Sequence, residues 1–552
     1  MTLRRVATYV QESRSDRWLV IALVAVGFAV YGPRLAAVTL VDHDDVISII
    51  GATCNQGRYE QSIPTGRWVD AAQWQQYWQW RGLGCYGQIS ADLAHYDIHP
   101  PLYFWLLHTW FGVFGVSILS GLLLNLVILA VTVVVIYTTC RVLAVSRSVT
   151  FVVTLAWMLS LPTRTVVSIV RQYGLFSMLT ALLLLCVVLW LTRRQGRYAI
   201  AIGVVLLAGA LTHYQFVLPA GFMLLFALAI QIHRKAYPAI AQLAVAGVAA
   251  LLLFFVAHPG FLESVSQANR QAQSFSFAAF GQRLGAAIAT IFQIFNPLDW
   301  PHPLPYGLLD MGRPVDTVLG AFNVIVGLAA LVLVVRLAIK AVAHRPRAAS
   351  ETLAVEYLPI FTAVTTWCTV VGLYVLCVSP VHAIGLQYLH FTTPLLFVAV
   401  AQLIEKYKDD IPRPVVGSVV PVLLVGAVIG TSVFVWHRSE QQRIFAIRDA
   451  DALLIDTTEI GVLPAVLWHA APETVVYAGL QRDLQAGIPV PPGGGSRLVY
   501  TSSSSYENRS EAHDLIMAEL ANAGYRLEFR MPSGVVPLIP LGGEITFFRS
   551  DR

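Results

Sequence analysis

Two acidic side chains, Asp44 and Asp45, stand directly after the first long apolar stretch of the chain. Adjacent carboxylates repel each other, so one of them can keep a raised pKa, as a general base requires, or the two can share a divalent cation. The alternative that needs no chemistry is a solvated acidic helix start, which stabilises the helix by meeting its N-terminal dipole. The pair is therefore a candidate catalytic or metal-binding group.

A second polar group closes the same loop, where His95, Asp97 and His99 precede two prolines, Pro100 and Pro101. Two imidazoles and a carboxylate at every second position could bind a metal. Hydrogen-bonded histidines at a membrane surface explain the spacing more simply. The prolines fix the backbone before an apolar segment, which favours a helix that begins there.

Other polar residues stand at the ends of apolar stretches. The guanidinium of Arg171 stays charged and donates in a fork that matches a phosphate, whereas for Arg164 we favour snorkelling to lipid phosphate. Trp78 belongs to a run of loop aromatics that could stack on a sugar or form an ordinary interfacial belt. These groups could converge on one site with His213, Gln387 and Tyr388.

The composition predicts an integral membrane protein, because 56% of the residues are hydrophobic and only 12% are charged. Many apolar runs approach the ~20 residues that a helix needs to cross the hydrocarbon layer. They do not alternate, so they predict an all-α polytopic bundle rather than a barrel. We predict about 11 spans, near residues 18–40, 119–141, 149–166, 173–192, 198–212, 214–232, 238–257, 316–341, 357–378, 387–405 and 413–436.

Arginine and lysine clusters appear at every second turn, which indicates cytoplasmic loops and a cytoplasmic N-terminus in a cell (inner) membrane. The alternation holds only if residues 99–117 form a short interfacial or re-entrant helix. The outward regions are then two large loops, 41–98 and 258–315, and everything after about residue 437. The candidate residues in the first loop would thus lie outside the cytoplasm.

The composition changes after the last apolar run, which predicts a transmembrane module at residues 1–436 and a small extracytoplasmic α/β domain at residues 437–552. Strand-like runs at 474–477, 498–501, 526–529 and 545–548 flank one amphipathic helix, for which Ser510 is a plausible N-cap and Gly524 a plausible stop.

Two absences limit the function. Between Asp97 and Glu263 the chain contains no acidic residue, although transporters and proton pumps usually place acids inside the membrane. The chain also contains no basic stretch interleaved with aromatic residues, the pattern that would suggest nucleic-acid binding.

In the first loop, Cys54 and Cys85 could form a disulfide or remain free.

Four short motifs lie at the ends of these apolar segments. Asp44-Asp45 follows the first one, and residues 97–103 are Asp-Ile-His-Pro-Pro-Leu-Tyr. Residues 171–175 are Arg-Gln-Tyr-Gly-Leu, and residues 387–389 are Gln-Tyr-Leu. Over roughly residues 18–410 the chain resembles the bacterial GT-C membrane glycosyltransferases, specifically the family 39 type related to protein O-mannosyltransferases and to the aminoarabinose transferases of lipid A.

The resemblance implies transfer of a sugar from a polyprenyl phosphate to an acceptor outside the cytoplasm. Asp44 would be the general base, and Asp45 would orient the acceptor or a cation. It also implies two groups of contacts. Those to the donor phosphate are Arg171, His99, Tyr173, Gln387 and Tyr388, and those to the sugar or acceptor are Asp97, His95, Trp78 and His213.

One motif departs from the family pattern, because Gln387 stands where the family has an arginine. The sequence assigns no cofactor, and a divalent cation at Asp44 and Asp45 is left open. A lipid-linked sugar flippase or transporter and a non-catalytic envelope assembly protein are the rival hypotheses. A transporter would move its substrate across sealed vesicles unchanged, whereas a transferase would release free polyprenyl phosphate.

Overall fold

The computed structural model describes most of the chain. The described residues are 14–38, 41, 43–270, 280–281, 283–284, 294, isolated positions between 325 and 339, 355–376, 386–411, 413–444, 447–456, 466–479, 491, 496–502, 511–532 and 544–550. Three parts of the chain lie outside the described residues: Asp42, most of the loop after Arg270, and the predicted span near 316–341 except for isolated positions.

Helices dominate the described part of the chain. In order they are α1 (Arg14–Ala36), α2 (His43–Ala52), α3 (Gln56–Ser62), α4 (Ala71–Gln75), α5 (Tyr86–Tyr96), α6 (Leu102–Phe114), α7 (Ile118–Val142), α8 (Arg147–Met158), α9 (Leu161–Val167), α10 (Tyr173–Arg193), α11 (Gly196–Ala210), α12 (Val217–His233), α13 (Tyr237–Ala257), α14 (Phe261–Arg270), α15 (Leu358–Leu376), α16 (Thr393–Tyr407), α17 (Arg413–Ile444) and α18 (Glu511–Asn522).

Six of the described helices are long and apolar enough to cross a membrane, and α8 with α9, bent by 54° at their junction, would make a seventh. They are Ser15–Ala36, Ile118–Val142, Tyr173–Arg193, Tyr214–His233, Tyr237–Ala257 and Ser418–Trp436. The bend falls where Pro162 occupies the first turn of α9, since proline cannot continue the backbone hydrogen bonds of α8. The chain is thus a mostly helical membrane protein.

Two of these helices form the centre of the bundle. α7 and α10 pack against each other, and most of their side chains are buried. At the start of α7 the Ser117 hydroxyl accepts a hydrogen bond from the Ser120 N–H at 3.0 Å, which satisfies one of the free donors of the first turn. By contrast α13 exposes leucine and valine side chains, the kind of surface that lipid covers.

A six-stranded sheet contains chain from both ends of the sequence. Its strands are β1 (Val69–Asp70), β2 (Ala452–Asp456), β3 (Val475–Gly479), β4 (Arg497–Ser502), β5 (Tyr525–Pro532) and β6 (Glu544–Ser550), in the order β1-β3-β2-β4-β6-β5. β2 runs parallel to β3 and β4, and the other pairs are antiparallel. β3 to β6 overlap the strand-like runs of the sequence, whereas β1 and β2 were not predicted.

A disulfide joins Cys54 and Cys85 within the first loop, with their Cα atoms 6.3 Å apart. Beside it the Nδ1–H of His108 donates to the Ala52 carbonyl at 2.7 Å. The bond ties the end of α2 to the start of α5, so it joins two helices within the loop in which the candidate residues lie.

Candidate functional site

The two adjacent carboxylates at the start of α2 have different environments. Asp45 is only 2% exposed, and its Oδ1 accepts a hydrogen bond from the backbone N–H of Val170 at 2.6 Å. The side chain of Asp44 is 44% exposed, and its Oδ1 lies 2.5 Å from Nη2 of Arg171. Asp45 therefore binds the backbone of the turn that carries Arg171, and Asp44 pairs with the Arg171 side chain.

Arg171 is a buried cation at the turn between α9 and α10. Its side chain is 7% exposed, and within the part of the chain that the structure describes its Nε and Nη1 have no hydrogen-bond partner. Burial lowers the pKa of Arg171, but the nearby charges of Asp44 and Asp97 raise it above its ordinary value. The guanidinium therefore stays charged and keeps N–H groups with which it could bind an anion such as a phosphate.

Asp97 and His99 form a second pair beside this cation. The Nδ1 of His99 lies 2.5 Å from Oδ1 of Asp97, and the backbone N–H of Ile98 donates to the same oxygen at 2.6 Å. Burial raises the pKa of Asp97, but His99, the charge of Arg171 and the Ile98 hydrogen bond together lower it to about 2. Asp97 is therefore a carboxylate at neutral pH, and Arg171 lies in the field of two anions.

Replacement of Asp97 by Asn should lower stability in a pH-dependent way. The folded-state pKa of about 2 lies below the usual 3.8, so the charged form stabilises the fold by roughly 2 kcal/mol above about pH 4. This contribution is lost as the pH falls through the folded-state pKa. We expect the Tm of the purified variant to fall below that of the wild type at pH 7, and the gap to narrow between about pH 4 and pH 2. A gap independent of pH, or equal to that of Asp70→Asn in the same loop, would contradict the assignment.

Aromatic and imidazole rings line the next part of the cluster. The rings of Tyr173 and Tyr388 meet edge to face with centroids 5.5 Å apart, and the His213 ring lies 6.1 Å from that of Tyr173. Burial and the nearby His99 lower the pKa of His213 to about 3, so its imidazole is neutral at pH 7. Gln387 directly precedes Tyr388 and is partly exposed. The structure thus connects residues from four separate sequence motifs.

Two of the predicted sugar or acceptor contacts have partners elsewhere. His95 lies at the end of α5, and its Nδ1 is 2.7 Å from Oε1 of Glu263, with both side chains exposed. Trp78 is buried against Trp468, with ring centroids 5.5 Å apart. The roles of these two residues in sugar binding stay predictions.

Sequence reasoning missed the groups that hold the Arg171 turn. The Tyr103 hydroxyl donates to Oδ1 of Asn125 at 3.1 Å, and the Asn125 amide donates to the carbonyl of Ile169. The sequence does mark Asn125, because it is a polar residue within the apolar run of α7. Polar side chains in membrane helices are costly, so they usually have a structural or functional role. The snorkelling prediction for Arg164 was wrong, since this side chain is 1% exposed.

A metal at the carboxylate pair has little support from neighbouring ligands. Among the described residues, one group of three metal-ligating side chains lies close enough to share an ion, namely Cys54, Cys85 and His108. Its cysteines form the disulfide and are not thiolates. A cation at Asp44 and Asp45 stays a prediction.

Several known proteins are similar to this chain. ArnT from Cupriavidus metallidurans, bound to undecaprenyl phosphate, is 15% identical with a TM-score of 0.41, and the match covers 96% of this chain and 97% of ArnT. Its apo state is 14% identical with a TM-score of 0.42, covering 97% and 98%. The arabinosyltransferase EmbB from Mycobacterium smegmatis is 12% identical with a TM-score of 0.36, covering 78% of this chain and 42% of EmbB. No curated protein matches the chain.

The sequence also matches a known protein family over part of its length. Residues 98–258 fit the family described as dolichyl-phosphate-mannose-protein mannosyltransferase. This segment contains His99, Arg171, Tyr173 and His213, whereas Asp44 lies before it. The match confirms the resemblance to the GT-C membrane glycosyltransferases of the protein O-mannosyltransferase type.

Proposed function

We propose that this protein transfers a monosaccharide from a polyprenyl phosphate to an acceptor hydroxyl outside the cytoplasm. The observation that carries the proposal is the pairing of the half-exposed Asp44 with the buried Arg171, whose Nε and Nη1 have no hydrogen-bond partner among the described residues. A carboxylate beside a cation of this kind provides a base for the acceptor and a counter-charge for the leaving phosphate.

The reaction would be a direct displacement. Asp44 takes the proton of the acceptor hydroxyl as the hydroxyl oxygen attacks the anomeric carbon. The bond between that carbon and the phosphate oxygen breaks, and the phosphate leaves with the electron pair. Arg171 and His99 neutralise the departing charge. A single displacement inverts the anomeric centre, and the enzyme forms no covalent intermediate.

The ion pair gives this scheme an order of events. Oδ1 of Asp44 accepts a hydrogen bond from Nη2 of Arg171. Arrival of a donor phosphate at Arg171 would compete with Asp44 for the guanidinium, and a carboxylate that loses a cationic partner becomes a stronger base. Donor binding would therefore activate the base for the acceptor.

The remaining residues would assist in binding. Tyr173, Gln387 and Tyr388 would contact the donor phosphate, and Asp97, His95, Trp78 and His213 would contact the sugar or the acceptor. Asp45 would position the turn of Arg171 through its hydrogen bond to Val170. Its predicted role toward an acceptor or a cation remains a separate hypothesis.

The division of the chain belongs to the same proposal. Residues 1–436 would form the catalytic transmembrane module in the cell membrane, with loops 41–98 and 258–315 outside. Residues 437–552 would form the extracytoplasmic α/β region. The proposal is supported by the arginine and lysine clusters between the spans.

Labelling of intact cells tests this orientation. Thr65 is exposed in the first loop, and Gln195 is exposed between α10 and α11. We expect a membrane-impermeant thiol reagent to modify a Thr65→Cys variant in intact cells and a Gln195→Cys variant only after lysis. Both variants would be built on Cys368→Ala, which removes an exposed thiol. The reverse pattern would place the candidate site in the cytoplasm and would contradict the proposed function.

The reaction itself is tested with purified protein and a panel of polyprenyl-phosphate sugars. We expect mass spectrometry to show consumption of one donor and release of polyprenyl phosphate when an envelope extract supplies the acceptor. Movement of an intact donor across sealed vesicles without release of polyprenyl phosphate would instead identify a transporter.

A further inference from the structure

A segment near the C-terminus, residues 466–479, is bound along the loop that carries Asp44. The backbone N–H groups of Gly66 and Ala71 donate to the carbonyls of Ala478 and Thr474, each at 2.8 Å. The Gln75 amide donates to the Ala470 carbonyl at 2.9 Å. The β1–β3 pairing extends the same contact. These hydrogen bonds fix the segment against the first loop at several points.

Aromatic side chains also pack between residues 466–479 and the first loop. The ring of Trp468 lies against Trp78, and that of Tyr477 lies against Trp68, each with centroids 5.5 Å apart. Rings that pack at this distance remove a large apolar area from water and resist sliding. Residues 466–479 therefore hold a defined position relative to the loop.

Within this segment, His469 reaches the start of the candidate site. It is 3% exposed, and its Nε2 accepts a hydrogen bond from the backbone N–H of Val41 at 3.3 Å. Val41 lies three residues before Asp44, just ahead of α2. Because a buried backbone N–H is costly to leave without a partner, this contact restrains where α2 begins.

Two further contacts fix the same turn from the other side. Asp45 accepts from the Val170 N–H, and the Ser48 hydroxyl donates to the backbone carbonyl of Asp44 at 2.9 Å. On the N-terminal side of Asp44, the contact from His469 to Val41 restrains the backbone. Loss of that contact would let the Asp44 carboxylate move relative to Arg171, whose own turn is held by the hydrogen bond from the Asn125 amide to the Ile169 carbonyl.

We propose that His469 is a positioning residue for Asp44, acting through the Val41 backbone, and that residues 466–479 are part of the catalytic unit. This inference rests on the function proposed above in so far as Asp44 is the base. His469 itself touches no reacting atom. Its task is to keep the carboxylate at the distance from the acceptor hydroxyl that proton transfer requires.

A pair of substitutions separates positioning from folding. In His469→Gln the amide oxygen can accept from Val41 at about the reach of the imidazole Nε2, whereas the ring of His469→Phe fills the space and accepts nothing. We expect His469→Phe to lower kcat by about ten- to a hundredfold with KM for the donor within about twofold, because misplacement of a catalytic group mainly slows the reaction. His469→Gln should restore most of the rate.

A control for these substitutions lies directly before β4, away from Asp44. The Ser496 hydroxyl donates to Asp451 at 2.9 Å, at the start of a strand that pairs with β2 and β6. Ser496→Ala should leave kcat unchanged. Equal kcat values for His469→Phe and the wild type, or equal losses in the Phe and Gln variants, would overturn the positioning role.

Hydrogen exchange tests the same inference independently of activity. Amide hydrogens of residues 41–48 should exchange faster in His469→Phe than in the wild type, with no change at residues 497–502, and His469→Gln should restore protection. Unchanged exchange at 41–48 would overturn the positioning role. If exchange behaves as expected and the wild type transfers no sugar, the proposed function fails and the structural inference stands.

Discussion

Replacement of Asp44 by Asn should lower the rate of sugar transfer by about 10²- to 10⁴-fold, the range that general-base catalysis contributes. Asparagine has nearly the same shape as aspartate but cannot take a proton from the acceptor hydroxyl. Because the Asp44 side chain is 44% exposed, its loss should leave the protein folded and inserted in the membrane. The rate of polyprenyl phosphate release by the purified variant measures the effect.

Asp70 provides a matched control for this substitution. It is an exposed aspartate in the same loop, on the short strand β1, so Asp70→Asn makes the same chemical change away from Arg171. We expect wild-type transfer from it. Transfer by Asp44→Asn at the rate of Asp70→Asn would remove Asp44 from the role of base.

Replacement of Arg171 by Lys should reduce kcat/KM for the donor by about 10²-fold, because a single ammonium cannot reproduce the fork that guanidinium offers to a phosphate. Lysine retains the positive charge beside Asp44, so the variant should avoid an uncompensated anion. Arg171→Ala removes the positive charge as well. We expect it to reduce kcat/KM for the donor more strongly, by about 10³-fold relative to the wild type.

The control for Arg171 is Arg58, which lies in the first loop. Arg58 donates to Oδ1 of Asn55 at 2.9 Å and to Oε1 of Gln76 at 3.1 Å. Arg58→Lys should therefore leave the KM for the donor unchanged. The Asp44→Asn and Arg171→Lys effects should also be less than additive, because the two side chains form one ion pair. Full additivity, or an unchanged kcat/KM in Arg171→Lys, would be inconsistent with a shared site.

The candidate site was predictable where charged residues interrupt an apolar chain. Ionisable side chains near lipid are costly in free energy and are usually functional. For this reason the sequence alone draws attention to Asp44, Asp97, His99 and Arg171. The contacts that join them depend on tertiary packing. Nothing in the local sequence indicates that Asp45 accepts from Val170 while its neighbour Asp44 pairs with Arg171.

The same distinction between local sequence and long-range pairing applies to the fold. Long apolar runs such as those of α7 and α10 specify helices directly. The break between α8 and α9 was missed, although Pro162 marks it in the sequence. β1 was missed because a strand of two residues, Val69–Asp70, has no periodicity of its own and forms only by pairing with β3.

A structure of the protein with a bound polyprenyl phosphate tests the central claim most directly, since that claim assigns the phosphate to Arg171 and the base to Asp44. We expect a phosphate oxygen about 3 Å from the Arg171 guanidinium, with the Asp44 carboxylate released from Nη2 and open to an acceptor. A phosphate bound elsewhere, with the pair between Asp44 and Arg171 intact, would contradict the account.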